Sequence, residues 1–180
     1  VNTMKKCIIL QINYLILICL FIPCVAIAQP ICQIQRFSAY NGLAQRSVTN
    51  ILQDSKGFIW FSTWNGLNKF DGYTFKNYKA FPGDGCTLTS NRLAKITQTQ
   101  TCDIWCQTYD LRIYLFDSRR EKFIDILRPY ENEKQQTYAV QNVYTLPKGV
   151  SWIVCDRGAF RIDEQAYKAQ EGEGITLYNI

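Results

Sequence analysis

A stretch that mixes turn residues with aromatic residues, 54–72, constrains the fold more than any other part of the chain. Its residues 58–63 are aromatic and β-branched, as in a strand. Asn65-Gly66 then indicates a hairpin, because both central residues of a type I′ turn need positive φ, and Asp71-Gly72 indicates a second turn of the same kind. With its lead-in, the stretch predicts a meander of four short antiparallel strands, the last three at about 58–63, 67–70 and 74–78.

The same unit recurs along the chain at a fixed period. Trp60, Trp105 and Trp152 are 45 and 47 residues apart. Aliphatic residues stand nine and twelve positions before each tryptophan, and an acid closes each third strand. The residues nine positions before are Ile51, Ile96 and Val143, and those twelve positions before are Val48, Leu93 and Val140. The acids are Asp71, Asp117 and Asp163. Four strands per repeat of about 45 residues is the period of a β-propeller blade.

The repeat therefore predicts an all-β fold of about three four-stranded antiparallel blades. Closed propellers typically have four to eight blades, so this chain predicts an incomplete propeller. We place the blades at about 40–80, 87–127 and 138–180, with a polar loop at 131–136. The alternative is a plain antiparallel sheet in which the spacing of the tryptophans is a coincidence.

The first copy resembles the two-component regulator propeller repeat, and the resemblance extends over roughly residues 36–165. The residues that carry it are Ile51, Asp54, Gly57, Trp60, Thr63, Gly66, Leu67, Phe70 and Asp71. The second copy keeps Ile96, Trp105, Thr108, Phe116 and Asp117, and the third keeps Gly149, Trp152, Gly158, Ile162 and Asp163. Thr99 and Leu146 replace the turn acid in these two copies. The resemblance implies the extracytoplasmic sensor region of a bacterial hybrid histidine kinase, especially one that regulates glycan use.

The N-terminus has the composition of a secretory signal peptide. Lys5 and Lys6 precede an apolar run, and Ala26-Ile27-Ala28 supplies a small-x-small cleavage pattern. We therefore expect residues 1–28 to be a signal peptide that is cut before Gln29, and residues 29–180 to be a partial propeller sensor domain. The alternatives are an uncleaved membrane anchor and a lipoprotein modified at Cys24. The expected location is the periplasm, in a parent receptor that is anchored in the inner membrane.

The residue types argue against catalysis by this chain. It contains 0 histidines, so neither a Ser-His-Asp nor a Cys-His arrangement can be built. We expect the acids Asp54, Asp71, Asp117 and Asp163 to accept backbone N–H groups in turns. Residues 54–60 also resemble the Asp-box turn of sialidase propellers, but the spacing differs and the catalytic residues of that family cannot be placed. We expect no enzyme activity and no cofactor.

Cysteine and charge add two further expectations. Five cysteines follow the signal peptide: Cys32, Cys86, Cys102, Cys106 and Cys155. They lack the spacing of a zinc site, so we expect no metal and mainly buried free thiols, with a Cys86–Cys102 disulfide as the alternative. The formal net charge is +5, but acids and bases are interspersed, which does not favour a nucleic acid as partner.

Propeller geometry predicts which residues would contact a ligand. The connections into the first strand of each blade share a face with the loops between its second and third strands. The candidate ligand-binding residues on that face are Arg46, Trp64, Asn65, Tyr109, Asp110 and Arg157. These residues suit a glycan, because aromatic rings stack on the C–H faces of sugars and the arginine fork binds a carboxylate or a sulfate. Trp60, Trp105 and Trp152, in contrast, should be packing anchors between blades. The expected partners are a glycan and the remaining blades and kinase of the parent receptor; the alternative is a module for protein contact or homodimerisation.

Overall fold

The computed structural model describes residues 2–21, 34–80, 88–170 and 172–179. The chain divides into two units, one that ends at Arg36 and one that begins at Phe37. The first unit contains helix α1, Asn2–Phe21. Among the described residues, no helix is both long enough and apolar enough to cross a membrane. The signal peptide stays a prediction, because its proposed cleavage site at 26–28 lies outside the described residues.

The second unit contains three four-stranded antiparallel sheets, and in each sheet the strands follow chain order. Blade 1 consists of β1 Val48–Gln53, β2 Ile59–Thr63, β3 Gly66–Phe70 and β4 Phe75–Tyr78. Blade 2 consists of β5 Leu93–Gln98, β6 Ile104–Thr108, β7 Ile113–Asp117 and β8 Lys122–Asp125. Blade 3 consists of β9 Val140–Leu146, β10 Val150–Cys155, β11 Gly158–Asp163 and β12 Ile175–Asn179. The predicted class, an all-β fold of propeller blades, is confirmed.

Apolar side chains fill the spaces between consecutive blades. The Trp60 ring stacks on Tyr78 of its own blade at 5.9 Å and meets Phe116 of blade 2 edge-on at 5.6 Å. Trp105 is likewise buried between two blades, in the hydrophobic cluster that joins blades 2 and 3. Val140, at the start of β9, is fully buried in this second cluster, whereas Val48, its counterpart in blade 1, is 38% exposed. The repeated aliphatic positions are thus buried where a preceding blade packs against them.

The turn at Asn65-Gly66 differs from the predicted type I′ turn. Thr63 pairs with Gly66, so the two-residue loop is Trp64-Asn65. Positive φ occurs at Gly66, at 97°, and not at Asn65. Glycine is required there because a Cβ atom would lie 2.3 Å from the carbonyl oxygen of Tyr78. The second predicted I′ turn is also wrong, since Asp71-Gly72 opens a longer loop between β3 and β4 and only the glycine has positive φ.

The turn acids have the role that the sequence predicts. Asp54 Oδ1 accepts the N–H groups of Lys56 and Phe58, both at 2.9 Å. Asp71, Asp117 and Asp163 each accept two backbone N–H groups from the residues two and three positions later. The bonds from Thr74 and Tyr73 hold the pKa of Asp71 below its usual value. The prediction of a structural role for these four acids is confirmed.

Two short helices were not expected from the sequence. Helix α2, Arg128–Lys134, occupies part of the predicted polar loop, and helix α3, Glu164–Ala169, lies between β11 and β12. Helix α2 is fixed by Glu131, whose two carboxylate oxygens bind the Arg112 guanidinium at 2.5 and 2.7 Å. Arg112 also pairs with Asp125 at 3.0 Å. This partly buried ion network draws a polar segment onto blade 2.

Candidate ligand-binding rim

One repeated hydrogen bond builds the face on which the candidate residues lie. In blade 1 the backbone N–H of Trp64 donates to the Ser47 carbonyl at 3.3 Å. In blade 2 the backbone N–H of Tyr109 donates to the Arg92 carbonyl at 3.0 Å. In blade 3 the Asp156 N–H donates in the same way to Ala139, at 3.0 Å. Each bond joins the loop after the second strand to the residue that precedes the first strand. We call this face, formed by the three loops and the three entry connections, the rim.

Two half-exposed aromatic rings lie together where blades 1 and 2 meet on the rim. Trp64 is 42% exposed and Tyr109 is 50% exposed. Their ring centroids are 6.2 Å apart and the rings are nearly perpendicular, at 88°. The Arg92 guanidinium carbon lies 4.6 Å from the Trp64 centroid and 5.6 Å from the Tyr109 centroid. The rim thus carries a cation held by two aromatic rings, a favourable arrangement because the ring faces are electronegative.

The other candidate residues are distributed around this cluster. Asn65 is half-buried, and its side-chain amide reaches the Ala44 carbonyl at 3.4 Å. Asp110 accepts a hydrogen bond from the Thr89 hydroxyl at 3.1 Å. Arg157 lies on blade 3, where its guanidinium is 3.5 Å from Asp156. Arg46 is exposed on the connection into β1. The structure therefore groups Trp64 with Tyr109, whereas Arg157 interacts within its own part of the rim.

Arg92 is a rim residue that the sequence prediction missed. It directly precedes Leu93, the first residue of β5, just as Ser47 precedes Val48 in blade 1. The repeat register could therefore have placed it on the rim. Its contact with two rings could not be read from the sequence, because one ring comes from another blade.

The three repeated tryptophans have different environments. Trp60 is 2% exposed and Trp105 is 1% exposed, whereas Trp152 is only partly buried and packs on Tyr178 at 5.3 Å. The Trp60 indole N–H donates to the turn acid of its own blade, Asp54, at 2.8 Å. The role of the three tryptophans as packing anchors stays a prediction.

Trp105 obtains its hydrogen bond from the next blade, because Thr99 replaces the turn acid in blade 2. Its indole N–H donates to the Ser151 hydroxyl at 2.9 Å, and that hydroxyl donates to Glu164 at 2.5 Å. The other Glu164 oxygen accepts the backbone N–H of Gln100 at 2.7 Å. We call this chain of bonds the interblade latch. It replaces an acid of the blade's own turn with a hydroxyl and an acid from blade 3.

A second polar connection joins blades 2 and 3 beside the interblade latch. Lys168 of α3 pairs with Asp103 at 2.7 Å and donates to the Thr101 carbonyl at 2.9 Å. Burial alone would raise the pKa of Asp103, but hydrogen bonds from Lys168 and Ser118 outweigh it and hold that pKa below its usual value. The same region encloses a cavity of about 40 Å³ that Trp105, Asp103, Glu164 and Lys168 help to line. Every polar group named here has a protein partner, which indicates a structural role.

Two of the thiols that the structure describes after residue 28 are buried, as the sequence predicts for thiols within the blades. Cys106 and Cys155 are buried free thiols, and Cys102 is a free thiol that is partly buried. Burial raises the pKa of Cys106, and it raises that of Cys155 to about 12 with help from nearby acids. Cys32 and Cys86 lie outside the described residues. The alternative disulfide between Cys86 and Cys102 therefore stays a prediction. In the part of the chain that the structure describes, no group of three or more possible ligands could hold a metal ion.

Comparisons with known proteins agree with the resemblance of the first blade. Residues 42–65 match the family model of the two component regulator propeller. A 53-residue segment is 47% identical to histidine kinase P4 of Formosa agariphila, and it covers 29% of this chain and 4% of that protein.

Solved structures extend the likeness to most of the chain. The extracellular domain of a hybrid two component system from B. thetaiotaomicron is similar with a TM-score of 0.62 and 27% identity, over 81% of this chain and 20% of that one. The extracellular domain of a one component system from the same organism is similar in fold, with a TM-score of 0.53 and 20% identity, over 79% of this chain and 20% of that one.

These findings define the class of protein. The chain consists of propeller blades, and residues 42–65 of its first blade match the family model of the two component regulator propeller. The predicted resemblance to this repeat family is confirmed. The chain spans 20% of the solved extracellular domain and 4% of the curated histidine kinase that it matches.

Proposed function

We propose that this chain is the beginning of the extracytoplasmic sensor region of a hybrid two-component regulator, and that its rim binds a glycan. The pair of half-exposed rings, Trp64 and Tyr109, carries the proposal. The two rings meet nearly at right angles at the junction of two blades, so together they offer an apolar corner with polar groups at its edges. Such a surface suits a sugar, whose C–H faces are apolar and whose hydroxyl groups need hydrogen-bond partners.

The polar groups of the pair support binding from solution. Neither the Trp64 indole N–H nor the Tyr109 hydroxyl makes a hydrogen bond to a residue that the structure describes. In contrast, the Trp60 and Trp105 indole groups both donate to protein acceptors. The Trp64 indole N–H thus differs from those of Trp60 and Trp105 in lacking a protein acceptor among the described residues, which leaves it available to a ligand.

In this proposal the chain is not an enzyme, and its signal passes to other parts of the receptor. Residues 1–28 direct export to the periplasm, and the parent protein is anchored in the inner membrane. The remaining blades and the kinase are its partners within the receptor. A ligand that spans the rim contacts more than one blade, so its binding energy can favour one arrangement of the blades over another.

The proposal is tested in the full-length protein with the variants Trp64→Ala and Tyr73→Ala. Tyr73 is the matched control, because it is 91% exposed and lies on the β3–β4 loop, at the opposite ends of the strands from the rim. We expect a glycan array to show binding by the wild type and by Tyr73→Ala, and a loss of at least tenfold with Trp64→Ala. Tyr73→Ala should retain the thermal unfolding midpoint of the wild type within about 2 °C, because its side chain is exposed. Trp64→Ala should remain folded with a midpoint a few degrees lower, because it loses its contacts with Tyr109 and Arg92.

The alternative function is protein contact or homodimerisation without a small ligand. Exposed apolar residues on the outer blades favour it as the second candidate: Ile51 is 61% exposed and Tyr178 is 48% exposed. Glycan binding that is equal in the wild type and in Trp64→Ala would place the site away from the rim. A protein that binds no glycan and associates with itself in a concentration-dependent way would support the alternative.

A further inference from the structure

We infer that Arg92 is an anion-binding residue of the rim, and that the ligand is therefore an acidic glycan with a carboxylate or a sulfate group. This inference rests on the proposed function, because it names the chemical class of the glycan. It arises from the cluster of Arg92, Trp64 and Tyr109, which joins an entry connection of blade 2 to loops of blades 1 and 2.

The two rings hold the guanidinium before any ligand arrives. An exposed arginine usually loses much side-chain conformational entropy when it binds, because its side chain samples many rotamers. Here the guanidinium lies over the Trp64 ring at 4.6 Å and near the Tyr109 ring at 5.6 Å. Stacking restrains the side chain while leaving its planar edge open to solvent. Part of the entropic cost of binding is therefore met within the free protein.

The donors of the Arg92 guanidinium have no partner within the part of the chain that the structure describes. They make no hydrogen bond or ion pair with any residue that the structure describes, although Arg92 receives two ring contacts. Arg112 is the contrast, since its guanidinium binds the carboxylates of Glu131 and Asp125. The arginine fork matches the two oxygens of a carboxylate or of a sulfate, and such charge-assisted pairs are about twice as strong as neutral hydrogen bonds. An anionic group fits these donors better than a neutral hydroxyl does.

The two rim acids, Asp110 and Asp156, do not pair with the Arg92 guanidinium. Asp110, which follows Tyr109, accepts a hydrogen bond from the Thr89 hydroxyl. Among the ion pairs of the described residues, none joins Asp110 to Arg92. Asp156 is on blade 3 beside Arg157. The Trp64 indole N–H and the Tyr109 hydroxyl add two neutral donors to the charged ones. Together with the guanidinium they offer donors of which the charged ones suit an anionic group best.

The test compares anionic and neutral oligosaccharides on the full-length protein. The probes are a panel of uronic-acid oligosaccharides, a panel of sulfated oligosaccharides, and neutral oligosaccharides of the same lengths, with binding measured by titration calorimetry. The variants are Arg92→Gln, Arg92→Lys and the control Arg119→Gln. Arg119 is also exposed, but it lies on the β7–β8 loop, at the opposite ends of the strands from the rim. The control thus removes the same charge from the other face.

We expect the tightest ligand to be anionic, and the uronic-acid and sulfated panels to show which group it carries. Arg92→Gln should weaken its binding by about tenfold or more, Arg92→Lys should restore only part of the loss, and Arg119→Gln should change it less than twofold. Binding of the wild type should also weaken as salt is added. A neutral glycan that binds tightest and equally to the wild type and to Arg92→Gln would overturn the inference and leave the proposed function standing. Failure of every probe, anionic or neutral, would overturn both.

Discussion

The interblade latch makes a sharp prediction about Ser151→Ala. This change removes the hydroxyl that accepts from the Trp105 indole N–H and donates to Glu164. Ser151 is 0% exposed, Trp105 is 1% exposed and Glu164 is 4% exposed, so neither partner can turn to bulk water. An unsatisfied buried donor costs about 1–3 kcal/mol, and a lost hydrogen bond to a charged group costs about 1.5–3 kcal/mol. We therefore expect the local opening free energy of blades 2 and 3 to fall by about 2.5–6 kcal/mol.

The adjacent cavity decides where in this range the value falls. Its volume of about 40 Å³ exceeds the roughly 10–15 Å³ that one water molecule needs, and both Trp105 and Glu164 line it. A water molecule that enters there can pair with one of the two groups, which brings the loss toward the lower end. The matched control is Ser55→Ala, because Ser55 is exposed and its change should cost less than about 0.5 kcal/mol.

The assay is hydrogen exchange in the full-length protein, followed by mass spectrometry of peptides from β6 and β10. A loss of about 2.5–6 kcal/mol corresponds to exchange that is roughly 60-fold to about 20,000-fold faster, whereas peptides of β2 should change little. Blade 1 serves as an internal reference, since its tryptophan donates to Asp54 of the same blade. If β6 exchanges at the same rate in Ser151→Ala and in Ser55→Ala, the interblade latch does not stabilise the blades and the reasoning is wrong.

Two further predictions follow from the turns and from α3. Gly66→Ala should leave little folded protein, because its Cβ atom would lie 2.3 Å from the Tyr78 carbonyl oxygen at a φ of 97°. Gly57→Ala, at a φ of 88° with nothing within 4 Å, should cost only about 1–3 kcal/mol of backbone strain; equal soluble yields of the two variants would contradict this account. The lowered pKa of Asp103 predicts that its pairing with Lys168 stabilises the fold above about pH 4 and that this contribution is lost as the pH falls through the folded-state pKa. Urea unfolding between pH 6 and pH 3 should therefore show a smaller acid-induced loss of stability in Asp103→Asn than in the wild type, and parallel curves would count against it.

The sequence predicts those parts of the fold that local patterns determine. The repeated tryptophans, the aliphatic residues before them and the turn acids lie within one blade, so their spacing was sufficient to predict three four-stranded blades. The acid at Asp54 needs only the N–H groups of the next four residues. Strand alternation and the hydrogen bonds of the turn acids work at this short range, and both agree with the structure, whereas the predicted type of the two glycine turns does not.

The features that the sequence missed depend on contacts between distant residues. Gly66 is needed because of the carbonyl oxygen of Tyr78, a residue on another strand, which no pattern around Asn65-Gly66 reveals. Glu131 is helical and buried because Arg112 of blade 2 binds it. Arg92 acquires its setting from the ring of Trp64 in blade 1. No pattern within a single blade carries this information.

The sequence predicts that the candidate residues lie in loops on one face, but it does not predict which of their side chains contact each other, and their role in binding stays a prediction. The repeat register gave the loops of the rim, and the shared hydrogen bonds of Trp64, Tyr109 and Asp156 show how those loops are joined to the entry connections. The register could not tell which of the rim side chains turn toward each other. That depends on the packing angle between blades, which the side chains of both blades determine together.

The interblade latch also affects the order in which this protein can fold during its synthesis. Ser151, which accepts from the Trp105 indole, lies 46 residues further along the chain than Trp105. Glu164, which accepts from the backbone N–H of Gln100, lies 64 residues further along than Gln100. Blade 1 has its acceptor for Trp60 six residues away and completes that bond as soon as its own strands pair. Blade 2, in contrast, remains incomplete while the ribosome adds the residues of blade 3. Nascent chains arrested before and after Glu164 should therefore differ in the protease resistance of blade 2, because its second strand becomes fully bonded only when the third blade has emerged.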